Sequence, residues 1–151
     1  MSPTCKFPKF IQNQSTNIAL KSILCELKAI VTSSIEEVDK INQKKETSAS
    51  RKQLADLVES FVDWYRSIVY EIDKGQSKIA KLFRQNEVHC AVIYELRGPI
   101  ARFSGYVQLY HQTPTQADLP AKALASIEEG LRDVMELLLK LIGDIKKFLD
   151  K

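Results

Sequence analysis

The stretch Val92-Ile93-Tyr94-Glu95-Leu96-Arg97-Gly98-Pro99-Ile100 gathers the residues of this chain best suited to chemistry. A phenol and a carboxylate stand side by side, a guanidinium follows two residues on, and a proline sits inside what otherwise reads as a helix. Proline has no amide to donate to the carbonyl of Glu95 and costs ~3 kcal/mol in a helix interior, so it predicts a kink and asks for a reason. Tyr94 follows the apolar position Ile93 by one residue, which places its side chain at the edge of a core and toward solvent. A tyrosine hydroxyl ordinarily has a pKa of about 10, so near neutral pH it is protonated and a weak nucleophile unless a base activates it. His89 falls on an apolar seam and reads as a satisfied core histidine, while His111 lies beside a turn. No His–Cys or His–Asp spacing suggests a metal site or a catalytic triad, and no cofactor is implied.

These residues need helices to hold them. Leu20, Leu24, Leu27, Val31, Val38 and Ile41 recur at three- and four-residue spacings, interrupted by Ser34, and predict a helix over 15–44 with Ser15 or Thr16 able to cap it. The polar stretch 43–50 reads as a turn with a helix restarting at one of its serines. Leu54, Leu57, Val58, Phe61, Trp64, Tyr65, Ile68, Val69 and Ile72 form a wide stripe for a second helix to about Lys74, near Gly75. Ile79, Leu82, Asn86, His89, Ile93, Leu96, Ile100, Phe103, Val107 and Tyr110 alternate three and four throughout, which predicts one long third helix. Leu124, Ile127, Leu131, Val134, Leu138, Leu141, Ile145 and Phe148 predict a fourth. Residues 111–120, with two prolines, connect the last two, and Thr115 or Asp118 can cap the fourth helix.

The expected fold is therefore all-α, with antiparallel hairpins forming a four-helix bundle that is dimeric. Residues 1–14 are a flexible tail, 15–75 one hairpin and 76–151 a second. Whether the bundle closes within one chain or between two is open at this point, although the aromatic-rich second stripe favours a packed partner.

The 92–100 stretch, in this helix-turn-helix context, resembles the phosphoacceptor box of the dimerisation and phosphotransfer domain of sensor histidine kinases. Glu95, Leu96, Arg97 and Pro99 match it and Ile100 matches conservatively, with Tyr94 where the family has its phosphoaccepting histidine. The resemblance spans residues 79–151 and implies a hairpin that dimerises and presents the area around Tyr94 to a receiver domain. Without the histidine the box implies no autophosphorylation. Gly98 stands where the family often carries a Thr or Asn for phosphatase action, and no Gly-rich ATP lid is present. What the resemblance implies is a catalytically inactive adaptor that binds a response-regulator receiver domain or a sensor kinase through Tyr94, Glu95, Arg97, Gly98 and Pro99. The plainer reading makes Tyr94 an amphipathic rim residue, Glu95 a solvated helix charge and Arg97 the partner of a nearby carboxylate.

Two other readings compete. Arg84 and His89 match the Arg-x4-His spacing of HEPN nucleases, a resemblance that implies RNA cleavage or a toxin–antitoxin component. The chain can also be a self-associating structural bundle. Composition limits the choice: 151 residues, 44% apolar and 27% charged, suit one globular helical domain with no disulfide staple. A net charge of +3 without a basic cluster argues against nucleic-acid binding. Cys5, Cys25 and Cys90 lack metal-type spacing and read as reduced thiols of a cytoplasmic protein. Neither a signal peptide nor a membrane anchor is expected.

Overall fold

Periodic apolar stripes dictate most of the architecture. The computed structural model describes residues 14–43, 50–75, 77–112 and 121–149, and among these every regular element is helical. The long helices are α1 (Gln14–Asn42), α2 (Ser50–Lys74), α5 (Arg97–Gln112) and α6 (Ala121–Leu149). Two short helices, α3 (Lys78–Gln85) and α4 (Val88–Cys90), lie between α2 and α5, and α4 runs into a π-helical turn, Ala91–Glu95. None of the described helices is long and apolar enough to cross a membrane.

All six apolar positions of the first stripe are buried, and the interrupting Ser34 is buried too because its hydroxyl donates to the carbonyl of Ile30 at 2.8 Å. That back-bond satisfies the group without a partner outside the helix. Helix α1 already includes Ser15 and Thr16, so neither residue stands outside it as a cap. Gly75, at φ +66, terminates α2 in the left-handed conformation that glycine adopts without a Cβ penalty. In α6, Leu124, Ile127, Leu131, Val134, Leu138, Leu141 and Ile145 all face the core. The caps considered at Thr115 and Asp118 lie outside the described residues, as does most of the turn after α1.

The four long helices contact one another in a ring: α1 packs on α2 and α6, and α5 packs on α2 and α6. Pairings at the helix ends give their directions. Asn42 and Asp39, late in α1, meet Glu128 and Arg132, early in α6. Glu59 and Arg66 of α2 meet His111 and Ser104 of α5, and Arg102 of α5 meets Glu129 of α6 at 3.6 Å. Neighbouring helices therefore run antiparallel. At the centre, the Phe61 and Phe103 rings stand edge to face, centroids 5.9 Å apart, and Phe103 presses on Gly130. The seam at Leu96, Ile100 and Phe103, expected to supply a dimer interface, is thus filled by packing within the chain.

The third helix departs from expectation. Instead of one continuous helix over 79–110, the chain breaks at Asn86 and Glu87, turns through α4, and widens into the π turn before α5. Glu87 adopts φ +55, the only described non-glycine residue with positive φ. The break changes which face is buried: Ala80, Phe83, Val88, Ala91 and Val92 are inside, whereas Ile79 is exposed and Leu82, His89 and Ile93 are only half-buried. Helix α3 packs on α2, where Phe83 meets Trp64 at a centroid distance of 6.2 Å. That aromatic contact favours the Phe83 face over the Ile79 face.

The reduced-thiol reading also needs correction. Cys25 is a free, exposed thiol, but Cys90 is disulfide-bonded. Cys5 lies outside the described residues.

Candidate functional site

Each residue of the 94–99 stretch takes its place from the junction between the π turn and α5. Tyr94 and Glu95 close the π turn, Leu96 bends the chain at φ −83 and ψ −8, and Arg97, Gly98 and Pro99 open α5. Pro99 therefore lies in the first turn of a helix and not in its interior. Amides there have no intrahelical acceptor, so a missing one costs little. The expected mid-helix kink is replaced by a helix start, and the first backbone bond of α5 runs from the Ile100 amide to the Leu96 carbonyl at 2.9 Å.

The π turn is also bonded from outside its own helix. Tyr65 of α2 donates its hydroxyl to the carbonyl of Ile93 at 3.0 Å. Burial pushes the Tyr65 phenol above its usual pKa, and the nearby Arg97 guanidinium opposes that shift without overcoming it. A half-buried phenol at Tyr65 and an exposed cation at Arg97 thus lie close together at this junction. In the sequence Tyr65 reads only as part of an apolar stripe, and its hydroxyl is the one hint of this role.

Tyr94, Glu95, Arg97 and Gly98 are exposed, Tyr94 at 38%, while Pro99 is buried beneath them. Beside them runs a groove of about 360 Å³, walled on one side by Glu95, Leu96 and Pro99 and on the other by Asp133, Glu136, Leu137 and Lys140 of α6. The α6 residues recur at the three- and four-residue steps of one helix face. Their partnership with the 94–99 stretch depends on the α5–α6 register, which sequence spacing does not reveal. The groove offers apolar contact at Leu96, Pro99 and Leu137 between three carboxylates and one ammonium. It holds no histidine or cysteine, and no cluster of metal-ligating side chains occurs among the described residues. Such a surface can recognise a partner by shape and charge.

No family model, curated protein or solved structure matches this chain. Its own geometry carries the functional argument.

Arg84 and His89 lie on different helices, α3 and α4. The left-handed Glu87 lies between them, and the Arg84 guanidinium donates to the backbone carbonyl of Ile72. His89 is half-buried with Nδ1 buried and unpartnered, so it is not the satisfied core histidine expected from the seam. His111 is exposed 3.8 Å from Glu59, far from Arg84 along the chain and on a different helix from it.

Proposed function

We propose that this chain is a non-catalytic helical adaptor that docks a response-regulator receiver domain or a sensor kinase and modulates two-component signalling. The observation that carries the reading is the exposed Tyr94-Glu95-Arg97-Gly98 rim, set over buried Pro99 and alongside the Leu96–Leu137 groove. Such a rim supplies an aromatic anchor, both signs of charge and an apolar floor, the ingredients of a small protein-recognition surface. The four long helices act as a four-helix bundle closed within one chain, so any pairing with a second copy uses a face other than the 96–103 seam. The box at Glu95, Leu96, Arg97 and Pro99 supports the choice of partner, and a tyrosine in place of the acceptor histidine supports binding without phosphotransfer.

The test is titration of the purified chain against receiver domains and kinase hairpins from its own source, read by biolayer interferometry. Glu95→Lys combined with Arg97→Glu should weaken binding at least tenfold while far-UV ellipticity stays constant. In parallel, Tyr94→His should accept phosphate from a phosphorylated cognate receiver. Undiminished binding by the double variant would remove the docking face from this stretch. No binding to any receiver or kinase would end the signalling reading.

A further inference from the structure

Residues 78–95 carry two faces with apolar spacing; the structure buries one fully and the other only in part. The buried face is Ala80, Phe83, Val88, Ala91 and Val92. The other, Ile79, Leu82, Asn86, His89 and Ile93, continues at three- and four-residue steps into Leu96, Ile100 and Phe103. That second face suits one unbroken helix running into α5.

Burying the first face requires the backbone to leave α-helical geometry twice. Glu87 takes φ +55, and its side chain makes no capping bond that would compensate. Residues 91–95 then form a π turn, which takes in an extra residue and shifts the register of everything before it. The unused face is left incompletely satisfied: Ile79 is 41% exposed, and His89 buries Nδ1 with no partner. Asn86 is buried, its amide on the Leu82 carbonyl at 3.0 Å, so the polar residue at the break is itself accommodated. The observed register is held on α2 by Trp64 against Phe83, by the Arg84 guanidinium on the Ile72 carbonyl and by the Tyr65 hydroxyl on the Ile93 carbonyl.

We propose that residues 78–95 are a two-register switch. One state is the broken, docked form described above. In the other, the segment joins α5 as one helix kinked at Pro99, whose missing amide keeps this state the minor one, Phe83 leaves Trp64, and the Ile79–Leu82–Ile93 face aligns with the 96–103 seam. Tyr94 and Glu95 belong to the π turn, so conversion rotates them relative to Pro99 and α6 and reshapes the groove. The switch is a property of the backbone and of two competing apolar faces. It stands or falls independently of which partner occupies the docking face.

The test varies Glu87 alone, in the full chain under reducing conditions so that the Cys90 disulfide does not tether the segment. Relaxation-dispersion NMR reads the minor-state population and its Cα shifts over residues 86–95. Glu87→Gly removes the left-handed penalty and should lower the minor population about five- to thirty-fold, the equivalent of ~1–2 kcal/mol. Glu87→Val, β-branched and more strained at positive φ, should raise it by a similar factor and move the emission of Trp64 to the red. The minor-state Cα shifts, including that of residue 87, should be helical. If Glu87→Val shows no exchange over 86–95 beyond that of α6, there is no second register. Coil-like minor-state shifts would also overturn the proposal, because they would mean that the segment melts and does not re-register.

Discussion

Removal of a single oxygen, in Tyr65→Phe, isolates the bond that ties α2 to the π turn. The Tyr65 hydroxyl sits 3.0 Å from the Ile93 carbonyl in a partly buried setting. Phenylalanine keeps the ring and its packing, so the loss is the hydrogen bond plus the penalty of a carbonyl left without its partner. For a part-buried neutral pair this is ~1–2 kcal/mol. In a chain of 151 residues that lowers the melting temperature by roughly 2–8 °C. Thermal and urea melts at pH 7 measure the loss, and amide exchange over 91–98 should accelerate more than in the middle of α6.

A pH series checks the burial of this phenol, with a defined sign. The folded chain holds the phenolic proton of Tyr65 to higher pH than the unfolded chain, whose tyrosine titrates near 10.0. Below that pH both states are protonated and the bond's contribution is complete. Above it the unfolded chain ionises first, and the contribution is lost as pH rises through the raised folded value. The stability gap between wild type and Tyr65→Phe should therefore narrow above pH 10. A variant as stable as wild type at pH 7 would refute the assignment of this bond as the strut of the π turn, and a gap that widens in alkali would refute the burial of the phenol.

Two core substitutions test the packing that supports the site. Phe103→Ala, at a fully buried position in edge-to-face contact with Phe61, should cost ~3–5 kcal/mol, read as a lowered urea midpoint with little change in the slope. Gly130→Val should cost ~1–3 kcal/mol, because a Cβ there already meets Phe103 Cε1 at 3.0 Å and valine adds two methyls to that approach. If Gly130→Val melts at the wild-type temperature, the close packing of α5 on α6 is wrong at this point.

The 94–99 stretch was recognisable before any fold was known because its residues are adjacent in the chain. Its setting was not. Pro99 reads as a kink when the third stripe is taken as continuous, and as an ordinary first-turn residue once Leu96 is seen to end the π turn. The opposite wall of the groove, at Asp133, Glu136, Leu137 and Lys140, comes from a helix more than thirty residues away. Likewise, nothing local distinguishes Tyr65 from its apolar neighbours until its hydroxyl is found on Ile93.

What the amino-acid sequence determined by itself was the helical class and the buried face of α1, α2 and α6, where a single apolar stripe leaves one way to exclude water. In residues 78–95 it supplied two such stripes, a wholly apolar one at Ala80, Phe83, Val88, Ala91 and Val92 and a regularly spaced one interrupted by Asn86 and His89, and spacing alone favours the second. Tertiary structure made the choice, because Trp64 rewards burial of Phe83 and Tyr65 donates its hydroxyl to the Ile93 carbonyl of the π turn. The groove beside Tyr94 follows from that choice, since its two walls meet only when the π turn and the antiparallel pairing of α5 with α6 are both in place.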